Sequence, residues 1–349
     1  MTLYCGVDFH SRRQTVCYCN TADGEMKIKD LHHYEDDVRS FYEQFRDGQV
    51  IVGYETSGYA RWFETLLFEL GIEVWVGDAA EISRLGKRRQ KNDRRDAEHI
   101  LDLMLKGEFP KLYRTSIKSQ EILRLLRHRN KLVKHVVMVK NSLRRILIET
   151  GSIFKEGLAS KKGKQKFRDL KLPPLLANER DRWLELLIEI EKQIAELERK
   201  LKHEAKNDEQ VQRLLTHPGV GLLTALCIVH ALGEVDRFAT TRKVAAYAGL
   251  EPMEHSSGEK RHYGAISKAG NRLLRFLLGE AAHMAVRSDE ELKQFFRRLK
   301  AKCGMAKAIT ATARKLLIRC FIMLRDAHRL RRVSAQRNRS TVCPILDIG

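Results

Sequence analysis

Residues 49–55, Gln-Val-Ile-Val-Gly-Tyr-Glu, form a short, nearly unbroken apolar run. A strand of this kind shows no alternation of apolar and polar residues because both its faces are buried, as in the parallel part of a layered α/β sheet. A chain that contains it must cover two sheet faces with helices. The neighbouring residues supply them. Residues 34–46 put Val38, Phe41 and Phe45 on one side of a helix, and residues 59–70 make a second. Residues 72–76 read as another buried strand, followed by Gly77 and Asp78. Ahead of the run, residues 3–8, 14–20 and 25–32 read as three strands. A further helix is opened by Asn92 or Asp93 as its cap, and Ile100, Leu101, Met104 and Leu105 give it an apolar stripe. The predicted order is strand, strand, strand, helix, strand, helix, strand, helix.

Three antiparallel strands followed by alternating helix and strand is the order of the RNase H fold. In an open α/β sheet, ligands gather beyond the carboxyl ends of the strands. Asp8 ends the first strand and Glu55 the fourth, and these strands are neighbours in that topology. Asp93 and Asp96, three residues apart, share one face of their helix. Four carboxylates can then converge on one or two hard divalent cations, Mg²⁺ by default for oxygen ligands. Two such cations would clamp the attacking and leaving oxygens of a phosphodiester. Asp78, also at a strand end, competes as a ligand, and His10 reads as a supporting or phosphate-contacting residue. Each acid has a plainer reading too: Asp8 as a turn residue, Glu55 as a helix cap, and Asp93 with Asp96 as a charged helix start.

The chain of 349 residues has a formal net charge of +20, which points to a polyanionic partner, nucleic acid first. Lys87, Arg88 and Arg89 open a basic run that reaches Arg95. No apolar run approaches the roughly 20 residues of a membrane span. The N-terminus lacks a signal-peptide pattern. The seven cysteines are scattered and none forms C-x-x-C, so free thiols in a reducing cytosol are expected. The expected setting is cytoplasmic, without a membrane partner.

The middle of the chain, residues 113–206, carries two heptad helices. Leu132, Val136, Val139, Leu143 and Ile146 step by four, three, four and three. Trp183, Leu187, Ile190, Ile194, Leu197 and Leu201 repeat the rhythm on the second. A basic linker over residues 155–171 joins them, so the pair reads as an antiparallel coiled-coil hairpin. Residues 207–328 are mainly helical. His217-Pro218-Gly219-Val220-Gly221 between two helices resembles a helix-hairpin-helix motif, in which Gly219 and Gly221 let backbone N–H groups approach a phosphate. Ser256-Ser257-Gly258, with Lys260, Arg261 and Lys268 nearby, suits a loop that faces phosphate. Residues 306–325 form a basic helix, and the Arg-rich tail, residues 329–349, reads as disordered in isolation. The expected architecture is α/β plus α, with boundaries at 112, 206 and 328.

The motifs Gly6-Val7-Asp8-Phe9-His10, Tyr54-Glu55-Thr56-Ser57-Gly58 and Lys91-Asn92-Asp93-Arg94-Arg95-Asp96-Ala97 resemble those of the DEDD insertion-sequence transposases. Gly249-Leu250-Glu251-Pro252 through Ser257-Gly258, then Gly264-Ala265-Ile266-Ser267-Lys268-Ala269-Gly270-Asn271, resembles the C-terminal motif of the same family. The resemblance implies a RuvC-like N-terminal domain whose metal-binding tetrad maps to Asp8, Glu55, Asp93 and Asp96. It implies Ser257 as the nucleophile on DNA, with Ser256 as its adjacent rival. His255, Lys260, Arg261 and Lys268 are candidate phosphate contacts. It also implies a homo-oligomer, dimer or tetramer, and a noncoding bridge RNA that guides the choice of donor and target DNA. A metal-dependent, structure-specific endonuclease of the junction-resolvase kind would need the tetrad but not Ser257. A binding protein on a degenerate RNase H fold would need neither.

Overall fold

The computed structural model describes residues 2–34, 36–86, 92–152, 157–158, 160–254 and 263–340. The chain divides into two compact units, Met1–Arg114 and Thr115–Gly349.

The first unit runs β1 (Thr2–Phe9), β2 (Arg13–Asn20), β3 (Met26–His32), α1 (Asp37–Glu43), β4 (Gln49–Glu55), α2 (Arg61–Glu69), β5 (Glu73–Gly77), α3 (Ala79–Leu85) and α4 (Asp93–Leu105). The five strands lie in the order β3-β2-β1-β4-β5. β1, β2 and β3 pair antiparallel, whereas β4 is parallel to both β1 and β5. This mixed sheet is compatible with the expected RNase H-like arrangement. β4 is buried on both faces, as its composition requires. Val50, Val52 and Tyr54 pack with Val7 of β1, Tyr42 of α1 and Phe63 of α2. Ile51 turns the other way, to Ile100, Leu103 and Met104 of α4.

α3 lies where the sequence suggested only a loop. Its cap is Asp78, whose Oδ1 accepts from Ala80 N at 2.9 Å and Glu81 N at 3.2 Å. Asp78, expected to compete for metal, is therefore committed to a helix start. Asp-x-x-Glu over residues 78–81 was the signal for it.

The second unit begins with α5 (Ile117–Glu149), α6 (Lys161–Arg168) and α7 (Pro174–Lys206). Lys118, Arg129 and Lys140 of α5 pair with Glu204, Glu198 and Glu191 of α7. Partners that descend as residue numbers rise make the two helices antiparallel. Val139, Leu143 and Ile146 meet Leu184, Leu187 and Ile190 along the seam. The segment expected to be a featureless linker holds α6, capped by Ser160 on Gly163 N. Its Phe167 is fully buried against the hairpin, an anchor hidden in a strongly basic stretch.

Beyond the hairpin follow α8 (Glu209–Leu215), α9 (Leu222–Leu232), α10 (Thr241–Tyr247), β6 (Pro252–Glu254), β7 (Tyr263–Ile266), α11 (Arg272–Ser288), α12 (Glu290–Cys303) and α13 (Met305–Ser340). α9 is the central helix, with all its residues from Thr224 to Leu232 buried. Leu274 and Leu278 of α11 and Leu316, Cys320 and Phe321 of α13 complete the core around it. α12 was not anticipated, although Asp289 caps it through Leu292 N at 2.8 Å. The tail read as disordered continues α13 as helix to Ser340. The described cysteines are free thiols, and all but Cys303 are buried. No helix among the described residues is long and apolar enough to cross a membrane.

Candidate metal centre and phosphate-facing loops

The centre depends on two glycines. Gly6 of β1 and Gly53 of β4 are register partners. A Cβ on Gly6 would fall onto the backbone of Ala97 and Leu101 in α4, and one on Gly53 onto the Met104 side chain. The missing side chains let α4 lie directly on these two central strands. Side chains alternate along a strand. Asp8 and Glu55, each two residues past its glycine, therefore project from the face that α4 covers.

α4 brings its N-terminus to the same end of the sheet. Asn92 caps it, its side chain accepting from Arg94 N. Asp93 and Asp96 occupy the first turn, where the helix dipole favours carboxylates. Three groups converge there. Asp8, His10 and Asp93 each offer one oxygen or nitrogen, all within 4.8 Å of one another. His10 Nε2 is 3.1 Å from Asp8 Oδ2 and 3.7 Å from Asp93 Oδ1. Arg13, at the start of β2, donates to the other Asp93 oxygen at 2.6 Å.

Asp8 is 8% exposed. Burial pushes its carboxyl above the ordinary range; His10 opposes this, and Asp93 and Asp96 push it up further. A carboxyl raised by burial and by two like charges fits a place meant for a cation. The donor set, carboxylate oxygens with one imidazole, fits a divalent metal.

Of the four acids singled out in the sequence, Asp8 and Asp93 are thus brought together. Asp96 is close enough to act on Asp8 electrostatically. Glu55 lies beside Asp8 on the neighbouring strand and outside the group of three. Arg13 escaped sequence reasoning. Its only signal was a basic pair, Arg12-Arg13, one tight turn after Asp8.

In the second unit, Gly219 has φ +85°, and a Cβ there would strike Ala285 of α11. Its small size is used for packing. Gly221 precedes α9 with open space around it. Gly249 and Gly270, both at positive φ, let residues 247–251 and 267–271 meet backbone to backbone. Arg275 Nη1 ties the two segments by donating to Ala248 O at 3.0 Å and Ala269 O at 2.6 Å. Lys268 is exposed and is the one non-glycine residue among those described with positive φ, at 54°. Such backbone strain gathers at functional loops. β6 and β7 pair antiparallel on this base. Ser257, Ser256, His255, Lys260 and Arg261 lie outside the described residues, as do Lys87, Arg88 and Arg89.

Comparison with known proteins bears on both units. A family model described as "Transposase IS116/IS110/IS902 family" matches residues 211–297. A DEDD transposase model of the IS110 type matches residues 5–151. The transposase for insertion sequence element IS1111A of Coxiella burnetii is 30% identical over 273 residues, covering 74% of this chain and 72% of that protein. A probable family 20 transposase of Pseudomonas aeruginosa is 30% identical over 260 residues, covering 72% of this chain and 75% of the relative. The pilin gene-inverting protein of Moraxella bovis is 31% identical over 116 residues, 32% of this chain and 36% of its own.

Proposed function

This chain belongs to the IS110 family of insertion-sequence transposases, and from that premise we propose how its residues divide the work on DNA. It is a DNA transposase, and transposition is its activity. The first unit is an RNase H-like, RuvC-like domain over residues 1–112. Asp8, Glu55, Asp93 and Asp96 hold a divalent cation, Mg²⁺ by default for carboxylate oxygens. When bound, the cation stabilises negative charge on the scissile phosphate and its leaving oxygen. The observation that carries this reading is the convergence of Asp8, His10 and Asp93 at the N-terminus of α4, with Glu55 on the adjoining strand.

Residues 113–206 form the coiled-coil hairpin and contribute to self-association as a dimer or tetramer. Residues 207–328 carry the nucleophile, with the tail beyond. Ser257 Oγ attacks phosphorus, and a serine–phosphate ester forms as the bond to one deoxyribose oxygen breaks. That oxygen leaves as a hydroxyl with the proton given up by the serine. The reverse reaction, with a different strand's hydroxyl, rejoins the DNA. The ester conserves the bond energy, so no nucleotide hydrolysis is needed. Gly221, Lys260, Arg261 and Lys268 make phosphate contacts, as do Lys87, Arg88 and Arg89. The excess of basic residues suits a second polyanion besides the DNA site, a noncoding guide RNA from the same element.

The test combines the full-length protein, a DNA substrate spanning the insertion junction, RNA transcribed from the flanking noncoding DNA, and Mg²⁺, followed by denaturing electrophoresis. A protein–DNA adduct that disappears in Ser257→Ala is expected. Cleavage without adduct that survives Ser257→Ala would instead indicate a junction-resolving endonuclease.

A further inference from the structure

We infer that His10 is itself a metal ligand, through Nε2, and that this nitrogen tilts the site from Mg²⁺ towards Mn²⁺ and other transition-metal divalent ions. The inference rests on the reading that these carboxylates hold a cation, and it names which cation and by which atoms.

Two carboxylates 85 positions apart in sequence face one imidazole nitrogen, Asp8 Oδ2 at 3.1 Å and Asp93 Oδ1 at 3.7 Å. A ring nitrogen carries at most one proton, so it can satisfy one of these oxygens by hydrogen bonding but not both. A cation among the three atoms satisfies all of them. The supports around the group have the form found around metal ligands. Arg13 holds Asp93 Oδ2, which leaves Oδ1 turned towards Asp8 and His10. Partners of this kind fix the orientation of a ligating carboxylate. α4 is fixed on the sheet by the bare backbone of Gly6, so Asp93 cannot drift from Asp8. The His10 side chain is 51% exposed, which leaves one side of the group open for water or a phosphate oxygen.

Mg²⁺ demands a near-ideal octahedron of oxygens and gives up its waters reluctantly, whereas imidazole suits transition metals such as Fe²⁺, Ni²⁺ and Zn²⁺, and Mn²⁺ lies between, an oxygen-seeking ion that still takes a ring nitrogen. Mn²⁺ accepts carboxylate and imidazole together and is paramagnetic, so it reports its own ligands.

The experiment is pulsed electron paramagnetic resonance on the full-length protein loaded with one equivalent of Mn²⁺, beside a competition titration against Mg²⁺. The expected spectrum shows coupling to one ¹⁴N, which changes to the ¹⁵N pattern when the histidines are ¹⁵N-labelled. Mn²⁺ should bind at least tenfold more tightly than Mg²⁺, and His10→Ala should remove both the coupling and most of that preference. If His10→Ala does not fold, His10→Gln takes its place, with the same loss of the histidine ¹⁵N pattern expected. Mn²⁺ bound to the folded protein without nitrogen coupling overturns His10 as a ligand and leaves the carboxylate site standing. Absence of any Mn²⁺ binding by the folded protein overturns the metal site and the inference with it.

Discussion

The sheet–helix contact of the first unit and the helical hairpin of the second reach close packing in opposite ways. On β1 and β4, α4 sits on bare backbone at Gly6 and on a flexible Met104 beside Gly53. One pair of residues decides the fit, and the result crowds Asp8 towards Asp93 and Asp96. In the hairpin, two helices of 33 residues each meet through repeating leucines, isoleucines and valines. No single contact there decides the fit, and Arg180, buried on α7, has its charge taken up by the carbonyls of Phe167 and Leu170. The two regions therefore draw their stability from different sources. The hairpin is built for strength by repetition, and the carboxylate site is held together against its own charge by a tight helix seat.

Substitutions at the seat should separate the two regions most sharply. Gly6→Ala places a methyl on the α4 backbone, which can yield only if the whole helix shifts. A loss of about 3 kcal/mol or more is expected, with metal binding lost as well. Gly53→Ala meets only the end of Met104 and should cost roughly 1–2 kcal/mol. Equal melting temperatures for the two variants would break the account of the seat.

In the hairpin, Leu143→Ala removes a fully buried side chain from the seam. A cost of about 2–4 kcal/mol is expected by denaturant unfolding, with metal affinity unchanged. A change in metal affinity would show that the hairpin does more than brace.

Asp8→Asn should act in the opposite direction. The folded-state carboxyl titrates above its ordinary value, chiefly through burial. Its contribution to stability is present below the unfolded carboxylate range and is lost as pH rises through the raised folded value. At neutral pH the metal-free protein therefore carries the cost of a buried charge. Asp8→Asn should raise its stability in chelator by about 1 kcal/mol, a gain of a few degrees in melting temperature. That gain should vanish in mildly acidic buffer. For the same reason metal affinity in the unsubstituted protein should weaken as pH falls, starting above the usual carboxylate range. Destabilisation by Asp8→Asn at neutral pH would contradict the charge-crowding argument.

The smallest effect belongs to the hairpin's ion pairs. Arg129 donates to Glu198 at 2.6 Å, with Glu198 partly in solvent. Arg129→Ala should cost less than about 1 kcal/mol, and less still in high salt. A larger loss would show that the seam leans on charge as well as on apolar contacts.

The two regions also differ in how plainly the sequence announced them. The hairpin's partners were legible because a heptad repeat specifies a helix and its buried face at once. The double burial of β4 was legible for the same reason, from the run of apolar residues through Ile51 and Val52. The convergence of Asp8 with Asp93 could be expected from the order of the elements, but not the approach of His10 and Arg13 to them, because that depends on strand register and on the seating of α4. The role of Gly6 and Gly53 in that seat left no local trace, since a glycine in a strand has several causes. Asp78 was misplaced because a strand-end acid and a helix cap look alike until the next helix is recognised. Phe167 was overlooked because one aromatic among lysines shows no period.

The most direct test of the central claim is a calorimetric titration of Mn²⁺ into the full-length protein, the Asp8→Asn variant and the Asp93→Asn variant at neutral pH. Saturable binding to the unsubstituted protein and a loss of at least tenfold in affinity in each variant are expected. Binding of equal strength in all three would place the cation elsewhere and dissolve the proposed site.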